Sequence, residues 1–188
     1  HILRLVVTLT SQYFRLIDLP EAIFGLIWGG MSLIGVVSPK IAEKMVERFS
    51  PAANVLWLAC LTMLALISTA LFLPYFGVLS IGLIFFVMML VSFFSSHYLN
   101  RITASQQRAT VLSFKGMAFN LAYGLIGILF AVLVRELRPA DSSLTAGADI
   151  AFIGAIGWLP WYTLVILALI AVPCGLRLRN SAEISTRG

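Results

Sequence analysis

Charged residues are absent from four long stretches of this chain, residues 22–39, 49–100, 116–134 and 150–176. A helix that crosses the hydrocarbon core of a membrane needs about 20 consecutive apolar residues. The second stretch is too long for one crossing, and the Pro and Gly residues between positions 73 and 78 indicate a turn near its middle. The pattern therefore predicts five transmembrane helices, at Glu21–Pro39, Ala53–Leu73, Val78–Tyr98, Val111–Val134 and Leu159–Leu176.

The first apolar segment, Leu5–Gln12, is shorter than a crossing and lies between Arg4 and Arg15. It could be the remnant of a signal peptide, a helix at the membrane interface, or the end of a truncated crossing. A signal peptide also needs a small-residue cleavage site, which is missing here, so we favour the truncated crossing. We then expect three regions: the tail of a truncated transmembrane helix and an external loop (1–20), a five-helix transmembrane bundle (21–180) and a cytoplasmic tail (181–188).

Composition agrees with this architecture. The chain is 60% hydrophobic and 11% charged, whereas soluble domains are about 45–50% apolar and about 25% charged. So few polar residues could not cover the surface of a soluble domain of this size. We therefore expect an all-α, polytopic transmembrane helical bundle. Cys60 and Cys174 both fall inside predicted crossings, and their spacing suits neither a metal site nor a disulfide framework.

Basic residues fall mainly on one side when the predicted loops alternate across the membrane. The positive-inside rule places that side, with the C-terminus, in the cytoplasm. The short loops favour a bacterial inner membrane. The net charge of +5 then follows from topology and indicates no nucleic-acid site. The cytoplasmic group contains Lys40, Lys44, Arg48, Arg101, Arg108, Lys115, Arg177, Arg179 and Arg187, and the opposite group contains Arg4, Arg15, Arg135 and Arg138.

Two predicted helices carry small residues at helical spacing, and one of them carries a polar pair deep within the predicted crossing. The spacing suits either close helix packing or surfaces that slide during a conformational change. Asn120, with Tyr123 about one turn later, is either an interhelical hydrogen-bonding group or a group that lines a cavity and contacts solute. The stripes are Ala22, Gly25, Gly29 and Ser32 in the first crossing, and Ser113, Gly116, Asn120, Gly124 and Gly127 in the fourth.

Catalytic and nucleotide-binding motifs are missing from the sequence. It contains no HExxH motif, no paired aspartates and no glycine-rich phosphate loop, and no carboxylate falls at the middle of the five predicted crossings. We therefore expect no enzymatic activity, no cofactor and no metal site. A proton-coupled carrier usually needs a buried titratable group, which we would expect outside these five helices.

Two loop sequences are similar to those of the major facilitator superfamily of transporters. Gly35–Phe49 resembles the second copy of that family's loop motif, with Glu47 and Arg48 at the acidic and basic positions, and Tyr98–Ser113 resembles the loop between its tenth and eleventh helices, through Arg108. The resemblance implies two six-helix halves around a central cavity. The five crossings would be helices eight to twelve, residues 1–16 the end of helix seven, and the N-terminal half a missing partner.

The main hypothesis is a secondary transporter that moves a small solute by alternating access. Ser32, Asn120 and Tyr123 are its candidate solute-binding residues, and Glu47, Arg48 and Arg108 are its candidate cytoplasmic gate. Its partners would be the solute, membrane lipids and the N-terminal half. The alternative is a polytopic membrane scaffold or assembly factor that transports nothing, because family resemblance does not by itself fix function.

Overall fold

The computed structural model describes residues 1–139 and 144–185, with side chains described in 1–139 and 145–170. Every regular element in these ranges is helical, and five helices are long and apolar enough to cross a membrane. The predicted all-α polytopic bundle is therefore confirmed. The α-helices are α1 (Ile2–Thr8), α2 (Thr10–Leu16), α3 (Phe24–Arg48), α4 (Pro51–Ala70), α5 (Gly77–Ile102), α6 (Arg108–Glu136) and α7 (Leu144–Ser185), and single 3₁₀ turns, Glu21–Ile23 and Ser105–Gln107, precede α3 and α6.

Three of the predicted helix boundaries are wrong by nine residues or more; one of them is the end of the last helix, at Ser185 instead of Leu176. The helix predicted to end at Pro39 continues to Arg48, because the segment beyond the proline packs Ala42 into a small core with Leu90 and Phe94 of α5. Pro39 removes one backbone donor, and the packing compensates for that loss. The last helix begins at Leu144, well before the predicted Leu159.

The early start of α7 has a similar cause. Phe152, Ala155 and Ile156 are buried in the main core of the bundle. Close packing of this apolar face favours helix well before the predicted start at Leu159. Residues 181–185 of the predicted tail belong to α7, whereas 186–188 and the loop at 140–143, with Asp141, lie outside the described residues.

The helix α5 lies at the centre of the described bundle. About 39% of its membrane span is buried, compared with 11% for the span containing α3 and 6% for the span containing α6. An added Cβ at Gly25 or Gly29 of α3, or at Gly116 or Gly124 of α6, would meet no atom within 4 Å. These glycines of the predicted small-residue seams are therefore not covered by any helix within the described residues, and both helices present open faces there.

The first segment forms two short helices with an interruption at Leu9, instead of the end of one continuous helix. It supplies several of the most buried side chains of the molecule, including Val6, Tyr13, Phe14 and Ile17, all at most 1% exposed. Between membrane helices, such side chains stabilise the packing against α5 mainly through van der Waals contacts. Residues 1–17 are thus an integral part of the core.

Contacts at the two ends of the bundle show that successive long helices alternate in direction. At one end, Asn54 at the start of α4 donates to the Tyr98 hydroxyl near the end of α5, at 2.9 Å. We call this the basic end, because Arg48 and Arg108 lie there. At the opposite end, the amide of Tyr75 donates to the carbonyl of Ile17 at 3.2 Å. This arrangement agrees with the prediction from loop charges that successive loops lie at opposite ends of the bundle.

Candidate functional site

A polar cluster joins α1 to α6. The Arg4 guanidinium donates through Nη1 to the Asn120 carboxamide oxygen at 2.8 Å, and its carbon lies 4.5 Å from the centre of the Tyr123 ring. The hydroxyls of Thr8 and Tyr123 are 3.0 Å apart. Since the Thr8 hydroxyl donates to the Arg4 carbonyl, the Tyr123 hydroxyl is the donor between them. We refer to Arg4, Thr8, Asn120 and Tyr123 as the Arg4 cluster.

Helical spacing places the four side chains together. Arg4 and Thr8 are four residues apart in α1, so they lie on one face, one turn from each other. Asn120 and Tyr123 are three residues apart in α6 and also share a face. Because Arg4 meets Asn120 and Thr8 meets Tyr123, the two helices run in the same direction along this contact. One polar face thus meets another over a single helical turn.

The Arg4 cluster lies at the middle of the bundle. Asn120 is residue 13 of the 29-residue α6, which places it about 18 Å from the start of that helix. The prediction that Arg4 lies in a loop on the external side is therefore wrong. In sequence, Arg4 flanks a short apolar segment, so it looks like a residue at the end of a membrane span. In the structure, it contacts Asn120 near the centre of α6.

A cation at this depth is costly. On translocon insertion scales an arginine at the centre of a membrane helix costs about 2.5–3.5 kcal/mol. The ion pair found among the described residues is Arg15 with Glu21 on the surface, so Arg4 has only uncharged partners in that part of the chain. Arg4 and Asn120 are exposed on the open face of the bundle. The charge must then face water, a solute or another polar protein surface, because hydrocarbon would not stabilise it.

A cavity of about 480 Å³ lies beside Arg4. It is bordered by the middle of α4 at Thr62, which is residue 12 of 20, and by the middle of α5 at Met89, which is residue 13 of 26. Small-molecule sites are typically concave, apolar and provided with a few polar groups. The remaining lining residues are His1, Ile2, Leu3, Met88, Val91, Ser92, Phe119, Ile126, Thr163 and Ile166.

A second cavity, of about 440 Å³, continues from the first toward the basic end. The two cavities share Met89 and Ser92 as lining residues. Ser96, also in the second cavity, accepts a hydrogen bond from the Lys115 ammonium at 2.6 Å. Polar groups therefore line a path from the middle of the bundle to its basic end. The other lining residues are Pro39, Phe93, His97 and Asn100.

The candidate solute-binding residues do not all meet. Asn120 and Tyr123 belong to the same cluster, as their spacing predicted. Ser32 lies exposed on α3, where its hydroxyl donates to the Gly29 carbonyl of its own helix at 2.6 Å. None of its described contacts links it to the Arg4 cluster, so its role in solute binding stays a prediction.

The candidate gate residues lie exposed at the basic end. Arg108 donates through Nε to the Thr103 carbonyl at 3.3 Å. No ion pair connects Glu47, Arg48 and Arg108 within residues 1–139, where all three lie. The structure therefore places them at the same end of the bundle without joining them, and their gating role stays a prediction.

Arg4, Thr8 and Lys115 were not predicted as members of the site. A usable signal existed for Arg4 and Thr8: if residues 1–16 are taken as a membrane helix, both fall inside it at four-residue spacing. Asn54 was also missed. It is fully buried, donates to the Tyr98 hydroxyl at 2.9 Å and to the Met45 carbonyl at 3.3 Å, and leaves its own carboxamide oxygen without a partner. These bonds join α3, α4 and α5 at the basic end.

Comparison with protein-family models, with curated proteins and with solved structures finds no match for this chain. The resemblance to the major facilitator superfamily therefore rests on the two loop sequences alone. A fold by itself does not specify a function, so the function must be argued from the site. The described residues show five helices that are long and apolar enough to cross a membrane, with a cation and a cavity midway along them.

Proposed function

We propose that this protein is a secondary transporter that moves a small solute across a membrane by alternating access. The observation that carries the proposal is the Arg4 cluster at the edge of a cavity of about 480 Å³, midway along α4, α5 and α6. Transporter sites are typically found at the bilayer midplane, where ionisable groups are otherwise rare. A bundle that served only as a membrane anchor would gain nothing from an arginine there.

The open faces of α3 and α6 support a larger assembly. Both helices are long and apolar, and the glycines of their small-residue stripes meet no other helix within the described residues. In a two-half carrier, these faces would border the central cavity and contact the other half. This agrees with the loop resemblance, in which the five long helices are helices eight to twelve and the partner is an N-terminal half.

Orientation follows from charge. With the basic end in the cytoplasm, as the positive-inside rule requires, the second cavity opens toward the cytoplasm and the C-terminus lies on the same side. The loops that connect the long helices are short, which favours a bacterial inner membrane. The proposed function needs no enzymatic step: the chain binds its solute and changes conformation around it.

The test is the substitution Asn120→Ala in the full-length protein, reconstituted in proteoliposomes and assayed for uptake of a panel of labelled sugars, organic acids and amino acids. We expect uptake to fall about tenfold or more, the equivalent of one hydrogen bond to a charged group, while the amount of folded protein stays unchanged. Gln106→Ala is the matched control, because it removes an exposed carboxamide from the loop before α6. Equal uptake per folded molecule by the Asn120 variant would refute the proposed role.

A non-transporting scaffold or assembly factor is the second candidate, and the uncovered faces of α3 and α6 favour it as much as they favour a carrier. The sequence encoded upstream separates the two. Six or seven further hydrophobic segments would support the carrier, whereas a soluble domain or an adjacent start codon would support the scaffold.

A further inference from the structure

We infer that the solute is an anion, with a carboxylate or a group of similar charge, and that Arg4 binds it with Lys115 as a second cationic group. This inference rests on the proposed transport function and specifies its substrate class. It starts from the sign of the charges around the path. Within the described residues that line the two cavities, Arg4 is the charged side chain, Lys115 is hydrogen-bonded to Ser96 in the second cavity, and no lining residue is acidic.

The geometry of Arg4 leaves room for an anion. A guanidinium has five N–H donors in one plane and matches the two oxygens of a carboxylate. Among the described contacts, Nη1 bonds to Asn120 and the Tyr123 ring lies beside the guanidinium. These two contacts fix the plane of the group, while other N–H groups remain available beside the cavity. Arg4 is thus already oriented before a solute binds, which lowers the entropic cost of binding.

Lys115 extends the positive potential toward the basic end. It lies five residues before Asn120 on α6, a distance of about 7.5 Å along the helix. Its ammonium is 2.6 Å from the Ser96 hydroxyl and 5.5 Å from the centre of the Phe119 ring, which itself lines the first cavity. An anion entering from the basic end would meet Lys115 before Arg4. Low-dielectric walls strengthen the attraction between these charges and an anion.

Other solute classes fit less well. A cationic solute would be repelled by both groups, and a neutral solute would leave the Arg4 charge uncompensated at mid-membrane depth. A carboxylate from another part of the protein is the competing source of negative charge. It would satisfy Arg4 permanently, and acids would then have no advantage over their uncharged analogues.

The experiment compares acids with their amides, which match them in shape and differ in charge. The full-length protein is reconstituted in proteoliposomes and presented with lactate, succinate and gluconate, each beside its amide. The variants are Arg4→Gln, Arg4→Lys and Lys115→Gln. Arg15→Gln is the matched control, because it also removes one positive charge from the first segment, but from an exposed ion pair with Glu21 at the opposite end.

The expected result is uptake of at least one acid in preference to its amide. Arg4→Gln should raise the KM for that acid by about ten- to a hundredfold, as expected for loss of a charge-assisted bond. Arg4→Lys should retain part of the affinity, Lys115→Gln should raise KM by a smaller factor, and Arg15→Gln should leave KM unchanged. Size-exclusion chromatography of each purified variant reports whether it is folded.

Three results would overturn the inference. Equal uptake of acids and amides would refute the anionic substrate while leaving transport intact. No uptake of any acid, in proteoliposomes that do take up a sugar or an amino acid of the first panel, would refute the substrate class alone; no uptake of any solute in either assay would refute the proposed function as well. An acid KM that stays unchanged in Lys115→Gln, and in whichever of Arg4→Gln and Arg4→Lys folds, would show that these two cations do not bind the solute.

Discussion

Gly77, the first residue of α5, lies against the first segment of the chain and gives a test of the fold that is independent of any solute. A Cβ at this position would lie 2.6 Å from the Tyr13 hydroxyl oxygen and 2.9 Å from Cδ1 of Ile17, where an ordinary contact is 3.4–4 Å. Tyr13 cannot easily withdraw. Its ring is 1% exposed and its hydroxyl donates to the Thr69 carbonyl at 3.2 Å. Gly77→Ala must therefore displace a packed side chain.

The size of the effect follows from three contributions. Overpacking a well-filled core costs about 1–3 kcal/mol, and loss of the bond from Tyr13 to Thr69 adds about 1 kcal/mol. Replacing Gly by Ala gains at most about 1 kcal/mol of helix propensity, and less at the first residue of a helix. We expect Gly77→Ala to destabilise the protein by about 1–3 kcal/mol.

The assay is thermal unfolding of the full-length protein in detergent. The quantity measured at each temperature is the fraction of the protein that remains monodisperse. Gly82→Ala is the matched control in the same helix, because its Cβ would lie 3.7 Å from Cδ1 of Ile34, an ordinary contact. Combining Gly77→Ala with Tyr13→Phe removes the closest atom, so the double variant should be less destabilised than the sum of the two single variants. A midpoint for Gly77→Ala equal to that of Gly82→Ala would refute the packing described here.

Three further predictions concern the two ends of the bundle. Asn54→Ala should lower the unfolding midpoint, with a loss of about 1–3 kcal/mol from unsatisfied groups at Tyr98 and its neighbours; an unchanged midpoint would contradict its structural role. Glu21→Gln breaks an exposed ion pair and should change stability by less than about 1 kcal/mol, so a larger loss in the same assay would be inconsistent with the exposure of that pair. Cysteines at positions Arg48 and Arg108, in a background without native cysteines, should react with an impermeant maleimide from the same side of the membrane; reaction from opposite sides would exclude the alternation of the helices.

The membrane spans were predictable from sequence, because a bilayer requires about 20 apolar residues regardless of what surrounds them. The ends of the helices were less so. Pro39 indicates a boundary in sequence, yet α3 continues because Ala42 beyond it meets Leu90 and Phe94. The start of α7 likewise depends on burial of Phe152 in the core. These boundaries depend on tertiary contacts, and a hydropathy profile of the sequence gives no information about such contacts.

The candidate site was predictable in part for a related reason. Asn120 and Tyr123 are conspicuous because they are polar within an apolar span, and the structure brings them together with Arg4. Arg4 itself looks like a residue that flanks a short segment, and its depth is fixed only by the helix beside it. Ser32 was also predicted as a solute-binding residue; its hydroxyl donates to a carbonyl of its own helix, and its role stays a prediction.

The packing of the first segment explains why Arg4 occupies its position. Tyr13 and Ile17 are held at the opposite end of the bundle by close contact with Gly77 and by the bonds to Thr69 and Tyr75. A shift of one residue in a helix moves a side chain by about 1.5 Å and rotates it by about 100°, which would take Arg4 away from Asn120. The core sets the register of α2, and the interruption at Leu9 sets the direction of α1. Together they determine the position and orientation of the Arg4 guanidinium. Because apolar contacts of the first segment hold Arg4 midway along the bundle, the position of this cation is fixed by the fold. Its charge lies beside the cavity.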